Sequence, residues 1–94
     1  MTKAEIVKEI SRETGIERSS VEKTLEAFMS SVKDHLIKNE GVSLRGFGNF
    51  ILKKRAAKIA RNISKNTIIH LPAHHIPAFK PSKKFADKVK KSVK

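Results

Sequence analysis

Gly46-Phe47-Gly48-Asn49-Phe50 lies near the middle of the 94-residue chain and sets how both flanks are read. Two aromatic rings alternate with glycines. Glycine admits left-handed backbone and the close approach of a neighbouring strand, so the stretch predicts a tight turn running into a strand. Val42-Ser43-Leu44 before it reads as a short strand, and Phe50-Ile51-Leu52 begins a second.

Toward the N-terminus, Asn39-Glu40-Gly41 closes a helical region. Thr2-Lys3-Ala4-Glu5 forms a capping box, with Thr2 at the N-cap and Glu5 reaching back. Ile6, Val7 and Ile10 share one helical stripe, and Gly15 is a stop signal, so a first helix is predicted from Lys3 to Glu13 or Thr14. A second should begin between Glu17 and Ser20, with Ser19 and Glu22 offering another capping box. Val21, Leu25, Phe28/Met29, Val32 and Leu36 recur along it at helical spacing. The stretch MTKAEIVKEI mixes charged and apolar residues, and is expected to be neither a signal peptide nor a membrane span.

Toward the C-terminus, Lys53 to Ala60 is open: its composition could form an isolated helix. Asn62 to Asn66 reads as a polar turn enclosing Ile63. Thr67-Ile68-Ile69-His70-Leu71 is strongly strand-like, which suggests a long hairpin. Pro72 and Pro77 argue for an edge strand or an irregular exit on the return. Ser82, preceded by Pro81, can cap a last helix with Phe85, Ala86 and Val89 on its apolar side. All five Phe lie outside residues 53–71, so this arm has little to anchor it in a core and should project from the body.

Charge follows the same partition. The net charge is +12 and the pI about 10.3. Residues 1–40 hold seven Lys/Arg against eight Asp/Glu; residues 41–86 hold ten Lys/Arg and no acid; residues 87–94 hold four Lys against Asp87. A solvated face ordinarily mixes both signs. An acid-free segment repels itself and favours a polyanionic partner. With no cysteine, disulfides and thiolate metal sites are excluded. His70, His74 and His75 cluster in sequence but lack a nearby carboxylate or thiol to complete a metal site, so no metal or cofactor is assigned. Protonation of these imidazoles in mildly acid solution would add charge favouring a polyanion.

Gly46-Phe47-Gly48-Asn49-Phe50, then Arg55-Ala56-Ala57-Lys58, Arg61-Asn62 and Ile76-Pro77-Ala78-Phe79-Lys80-Pro81, closely resemble the bacterial HU/IHF family of histone-like proteins, in one register over essentially the whole chain. The resemblance implies an α+β fold and an intertwined dimer. Residues 1–40 would form a helical dimerisation base, 41–52 and 72–81 a three-stranded antiparallel saddle sheet, 53–71 a β-ribbon arm, and 82–94 a short C-terminal helix. It further implies a nucleoid-associated cytoplasmic protein that bends, wraps and condenses double-stranded DNA through its minor groove, the binding mode this family exemplifies. Bent or distorted DNA would be preferred, and the dimer could be homo- or heteromeric.

Carried over position by position, Lys53, Arg55, Lys58 and Arg61 lie on the outgoing arm with Asn62, and Lys65 at its tip. Arg45 lies in the body turn. Lys3, Lys80, Lys83 and Lys84 form a second basic set, with Lys3 and Lys83 in first helical turns, where free N–H groups and the helix dipole also favour phosphate. Family members usually carry Pro after Arg-Asn as a wedge between base pairs. Here that position is Ile63, whose bulk and dryness suit the same role.

Catalysis has no support: the chain lacks a thiol nucleophile, a phosphate-cradling Gly-rich loop and paired carboxylates in the arm. Non-specific architectural binding is the first expectation, and site-specific bending of the IHF type the alternative. A generic polyanion, RNA or membrane-surface binder is more remote. Ile59 is the sole large apolar residue in 53–60, too little for membrane insertion, and the arm has no aromatic on which single-stranded bases could stack.

Overall fold

Thr2 caps the first helix as its side chain predicts: the hydroxyl accepts from the Glu5 amide, and α1 runs Lys3–Thr14. Gly15 ends it in the left-handed region, φ 76°, where a Cβ would be strained. The computed structural model describes residues 1–62 and 67–93, with backbone alone at 60–62 and 67.

The second helix, α2, runs Arg18–Ile37, and here one expectation fails. Its N-cap is Glu17, with no side-chain hydrogen bond, and Ser19 lies inside the first turn. The first helical bond, Val21 N–H to Glu17 C=O at 3.0 Å, forms too early for a Ser19 cap. Asn39 turns the chain out of α2 with φ 62°.

The strands are β1 (Val42–Leu44), β2 (Gly48–Arg55), β3 (Lys58–Asn62), β4 (Thr67–Leu71) and β5 (His74–Pro81), followed by α3 (Lys83–Ser92). All pairings are antiparallel. One sheet has the order β1-β2-β5, and β3 pairs with β4 in a separate two-stranded ribbon. The Gly/Phe stretch therefore divides: residues 45–47 turn, and β2 starts at Gly48, two residues before Phe50. The helical option for 53–60 is overturned. Those residues continue β2, step aside at Ala56-Ala57, and resume as β3. Propensity yields because the cross-strand partners His74–Ile76 and Ile69–Leu71 hold them extended. As Pro77 suggests, β5 is an edge strand, and Pro72 lies in the step between β4 and β5.

Packing is thin. Among the described residues, the buried apolar side chains are Val7, Val21, Val32 and Leu36, and all four lie on the α1–α2 stripe. Phe50 and Phe79 meet across β2–β5 with centroids 5.0 Å apart; Phe47 lies 4.9 Å from Phe79 and 5.7 Å from Phe85, tying α3 to the sheet. Ser82 fixes this junction. Its hydroxyl accepts from the Phe85 amide at 3.2 Å and donates to the Gly46 carbonyl at 3.1 Å. The radius of gyration is 18.7 Å, against about 12 Å for an ordinary compact domain of this length.

Candidate nucleic-acid interface

Strand alternation separates the sheet into two faces. Phe50, Leu52 and Lys54 of β2 pair with Phe79, Pro77 and His75 of β5. Leu52, Pro77 and His75 line an open cavity of about 490 Å³ together with Lys33, Leu36 and Ile37 of α2, so this is the helix-facing side. The opposite face carries Asn49, Ile51, Lys53 and Arg55, paired with Lys80, Ala78, Ile76 and His74. On β1, Ser43 pairs with Asn49 and donates a 2.8 Å hydrogen bond to its Oδ1. Lys53, Arg55 and Lys80 are thus brought onto one face, the one away from α2, where they alternate with Ile51, Ile76 and Ala78. Lys54, adjacent in sequence, belongs to the other.

The ladder continues through Lys53 and Arg55 to Arg55↔His74, and the ribbon ladder begins at Lys58↔Leu71. Lys53 and Arg55 consequently stand on the three-stranded sheet, and Lys58 opens the ribbon. The step between them is set by Ala56-Ala57 on one side and Pro72-Ala73 on the other, where His74 Nδ1 lies 3.0 Å from the Pro72 carbonyl. Arg45 is exposed in the β1–β2 turn, and Lys83 and Lys84 occupy the first turn of α3 beside the Ser82 cap. Arg61 and Asn62 end β3. Ile63 and Lys65 lie outside the described residues.

Ion pairing distinguishes the two basic sets. Among the described residues, the ion pairs are Lys3–Glu26 and His35–Glu40. Arg45, Lys53, Arg55, Lys58, Lys80, Lys83 and Lys84 therefore have no carboxylate partner among those residues. Lys3 differs: its hydrogen bond to Glu26 holds the ammonium above its ordinary value and the Glu26 carboxyl below its own. Glu26 was not foreseen from sequence, because it lies 23 positions from Lys3 and is brought to it only by α1 packing on α2. His70, on the ribbon, does not join His74 and His75 in a metal-binding cluster among the described residues.

The cations thus form a track from the open sheet face into a ribbon, a geometry suited to following a line of phosphates. A family model described as Bacterial DNA-binding protein matches residues 1–90. DNA-binding protein HU of Clostridium pasteurianum is 38% identical over 91 residues, spanning 97% of this chain and 100% of that protein. Integration host factor subunit beta of Hahella chejuensis is 34% identical over 95 residues, spanning 100% and 97%. Among solved structures, HU in the Anabaena HU–DNA cocrystal structure matches with a TM-score of 0.89 at 29% identity, over 95% of this chain and 97% of that one. Helices, sheet order, basic ribbon and full-length matches agree: the chain belongs to the bacterial DNA-binding protein family that includes HU and the integration host factor subunits.

Proposed function

We propose that this chain is an architectural DNA-binding protein that bends, wraps and compacts double-stranded DNA, largely without sequence specificity. The observation that carries this is the row of acid-free cations on the open sheet face, continued onto an extended ribbon. Lys53, Arg55 and Lys80 on the sheet, with Arg45, Lys83 and Lys84 beside it, neutralise phosphates and release their counterions. Lys58, Arg61 and Asn62 of β3 follow the minor groove, and Lys65 adds a further phosphate contact. Ile63, at the position where the family carries its wedge residue, would unstack a base step. Lys3 joins the body set by exchanging Glu26 for phosphate.

The working unit is a dimer, with residues 1–40 as its base. The exposed surface supports this: 8340 Å², against about 5500 Å² for a folded monomer of this mass. Phe28, Phe47, Phe79, Phe85 and Val89 are each at least 36% exposed, apolar side chains that a partner subunit would cover. No helix among the described residues is long and apolar enough to cross a membrane. An architectural role places the protein with the bacterial nucleoid, and no enzymatic step is assigned to it.

The test is a salt titration of affinity for linear, nicked and kinked duplexes, with bending followed by end-to-end fluorescence transfer. A steep fall of affinity with salt and a preference for kinked DNA are expected. Ile63→Ala should reduce bending while retaining most of the affinity; equal bending by both proteins excludes the wedge. The likeness to an integration host factor subunit favours a second reading, site-specific bending. Competition between random duplex and candidate sites separates the two.

A further inference from the structure

The two outer edges of the ribbon differ in charge. β3 carries Lys58 and Arg61, whereas β4, Thr67-Ile68-Ile69-His70-Leu71, has no Lys, Arg, Asp or Glu and begins with three β-branched residues. Among the described residues, β3 and β4 pair only with each other, so the far edge of β4 is open. An open edge presents a row of amide and carbonyl groups that templates another strand, and proteins ordinarily block it with a charge, a proline or a bulge. β4 has none of these before Pro72. Its faces are exposed as well: Ile68 is 62% and Ile69 42% exposed. A short, β-branched, uncharged segment is the composition that self-associates.

We propose that β4 pairs edge to edge with β4 of a second DNA-bound copy, giving a four-stranded sheet in which both β3 strands lie outside. Charge selects this occupant. Joining through β3 would bring Lys58 and Arg61 of two copies together, whereas the β4 seam contains no formal charge. An antiparallel register centred on Ile69 sets Ile69 against its equivalent and Ile68 against His70. Assemblies built of chains of charge +12 repel one another in free solution; DNA removes that repulsion, so the seam forms on DNA and links one bound assembly to the next. The inference rests on the DNA-binding reading and adds a contact between bound copies.

The absence of cysteine makes the test direct, since a single introduced thiol has only its equivalent to react with. Opposed residues in an antiparallel pair have Cα atoms about 4.5–5.5 Å apart, within disulfide reach. Ile69→Cys is compared with Ile59→Cys on β3 under mild oxidation, on a long duplex and on a short one that holds a single assembly. Ile59 is the more exposed residue, 69% against 42%, so random collision would favour it. The expected result is about tenfold more cross-linked chain from Ile69→Cys, on the long duplex alone, because only there is the thiol pair held aligned. Equal cross-linking by the two variants, or equal cross-linking on both duplexes, overturns the seam. Failure of either variant to bind DNA of any length overturns the DNA-binding reading and the seam with it. As a second measurement, the double variant Ile68→Ser/Ile69→Ser should retain short-duplex affinity and lose bridging between long duplexes. Bridging that survives it also overturns the proposal.

Discussion

Gly48 and Gly46 show how one residue type serves two purposes in a single turn. Gly46 has φ 84° and open space around it, so its requirement is conformational. Gly48 is buried at the start of β2, and a Cβ there would come within 2.6 Å of both the Lys80 carbonyl oxygen and a Phe79 ring atom. Gly48→Ala must push β5 away from β2 and is expected to cost about 2–3 kcal/mol, against about 1 kcal/mol for Gly46→Ala. Chemical denaturation of the two variants measures the difference. At the other end of the molecule, the Lys3–Glu26 pair makes stability depend on pH. Glu26 has a depressed carboxyl value, so its contribution is full above the ordinary carboxylate range and lost as pH falls through the depressed value. Lys3 has a raised value, so its share is full below the ordinary ammonium range and lost as pH rises through the raised value. Glu26→Gln should therefore melt slightly below the parent near neutrality, the small effect of an exposed pair, with the difference disappearing at low pH. A melting series against pH checks the sign.

At the scale of elements, the junction of α3 with the sheet depends on Ser82 beside the Phe47–Phe85 contact. Ser82 caps the helix through its hydroxyl, tethers it to the Gly46 carbonyl, and donates its amide to the Phe47 carbonyl at 2.9 Å. Ser82→Ala keeps the amide bond and loses both hydroxyl bonds. The expected cost is about 1–2 kcal/mol, with loosening concentrated in residues 83–92, readable by hydrogen exchange. On the proposed site, DNA affinity should weaken as well, because Lys83 and Lys84 lie in that first turn. The ribbon depends on a different device. Its step at Ala56-Ala57 uses side chains too small to obstruct a change of strand direction, and Pro72 opposite withholds an amide, so the two ladders end there without an unpaired donor at that position.

For the whole molecule, the balance of buried and exposed surface matters most. A core of four buried side chains among the described residues is small for 94 residues. If association covers the exposed Phe28, Phe47, Phe79 and Phe85, stability must depend on protein concentration by mass action. The melting temperature is expected to rise with each tenfold increase in chain concentration, and sedimentation should return twice the chain mass. A concentration-independent melt at monomer mass would contradict the dimer.

Much of this was legible in the sequence alone. The charge partition, the Thr2, Gly15 and Ser82 signals and the Gly/Phe turn identified the helix ends, the basic half and the family, because they rest on local chemistry and composition. Residues 53–60 were not decidable, since Lys, Arg and Ala suit an isolated helix, and only pairing with His74–Ile76 and Ile69–Leu71 makes them strands. Ser19 misled because a capping pattern lacks force once an earlier backbone bond starts the helix. Strand alternation puts Lys53 and Arg55 on one face and Lys54 on the other, but which face is open was decided by the packing of α2 on the sheet. The partnership of Lys3 with Glu26 was likewise decided by the packing of two helices. Local propensity is written along the chain, but facing and pairing depend on contacts between distant segments, and those exist only once the chain has folded.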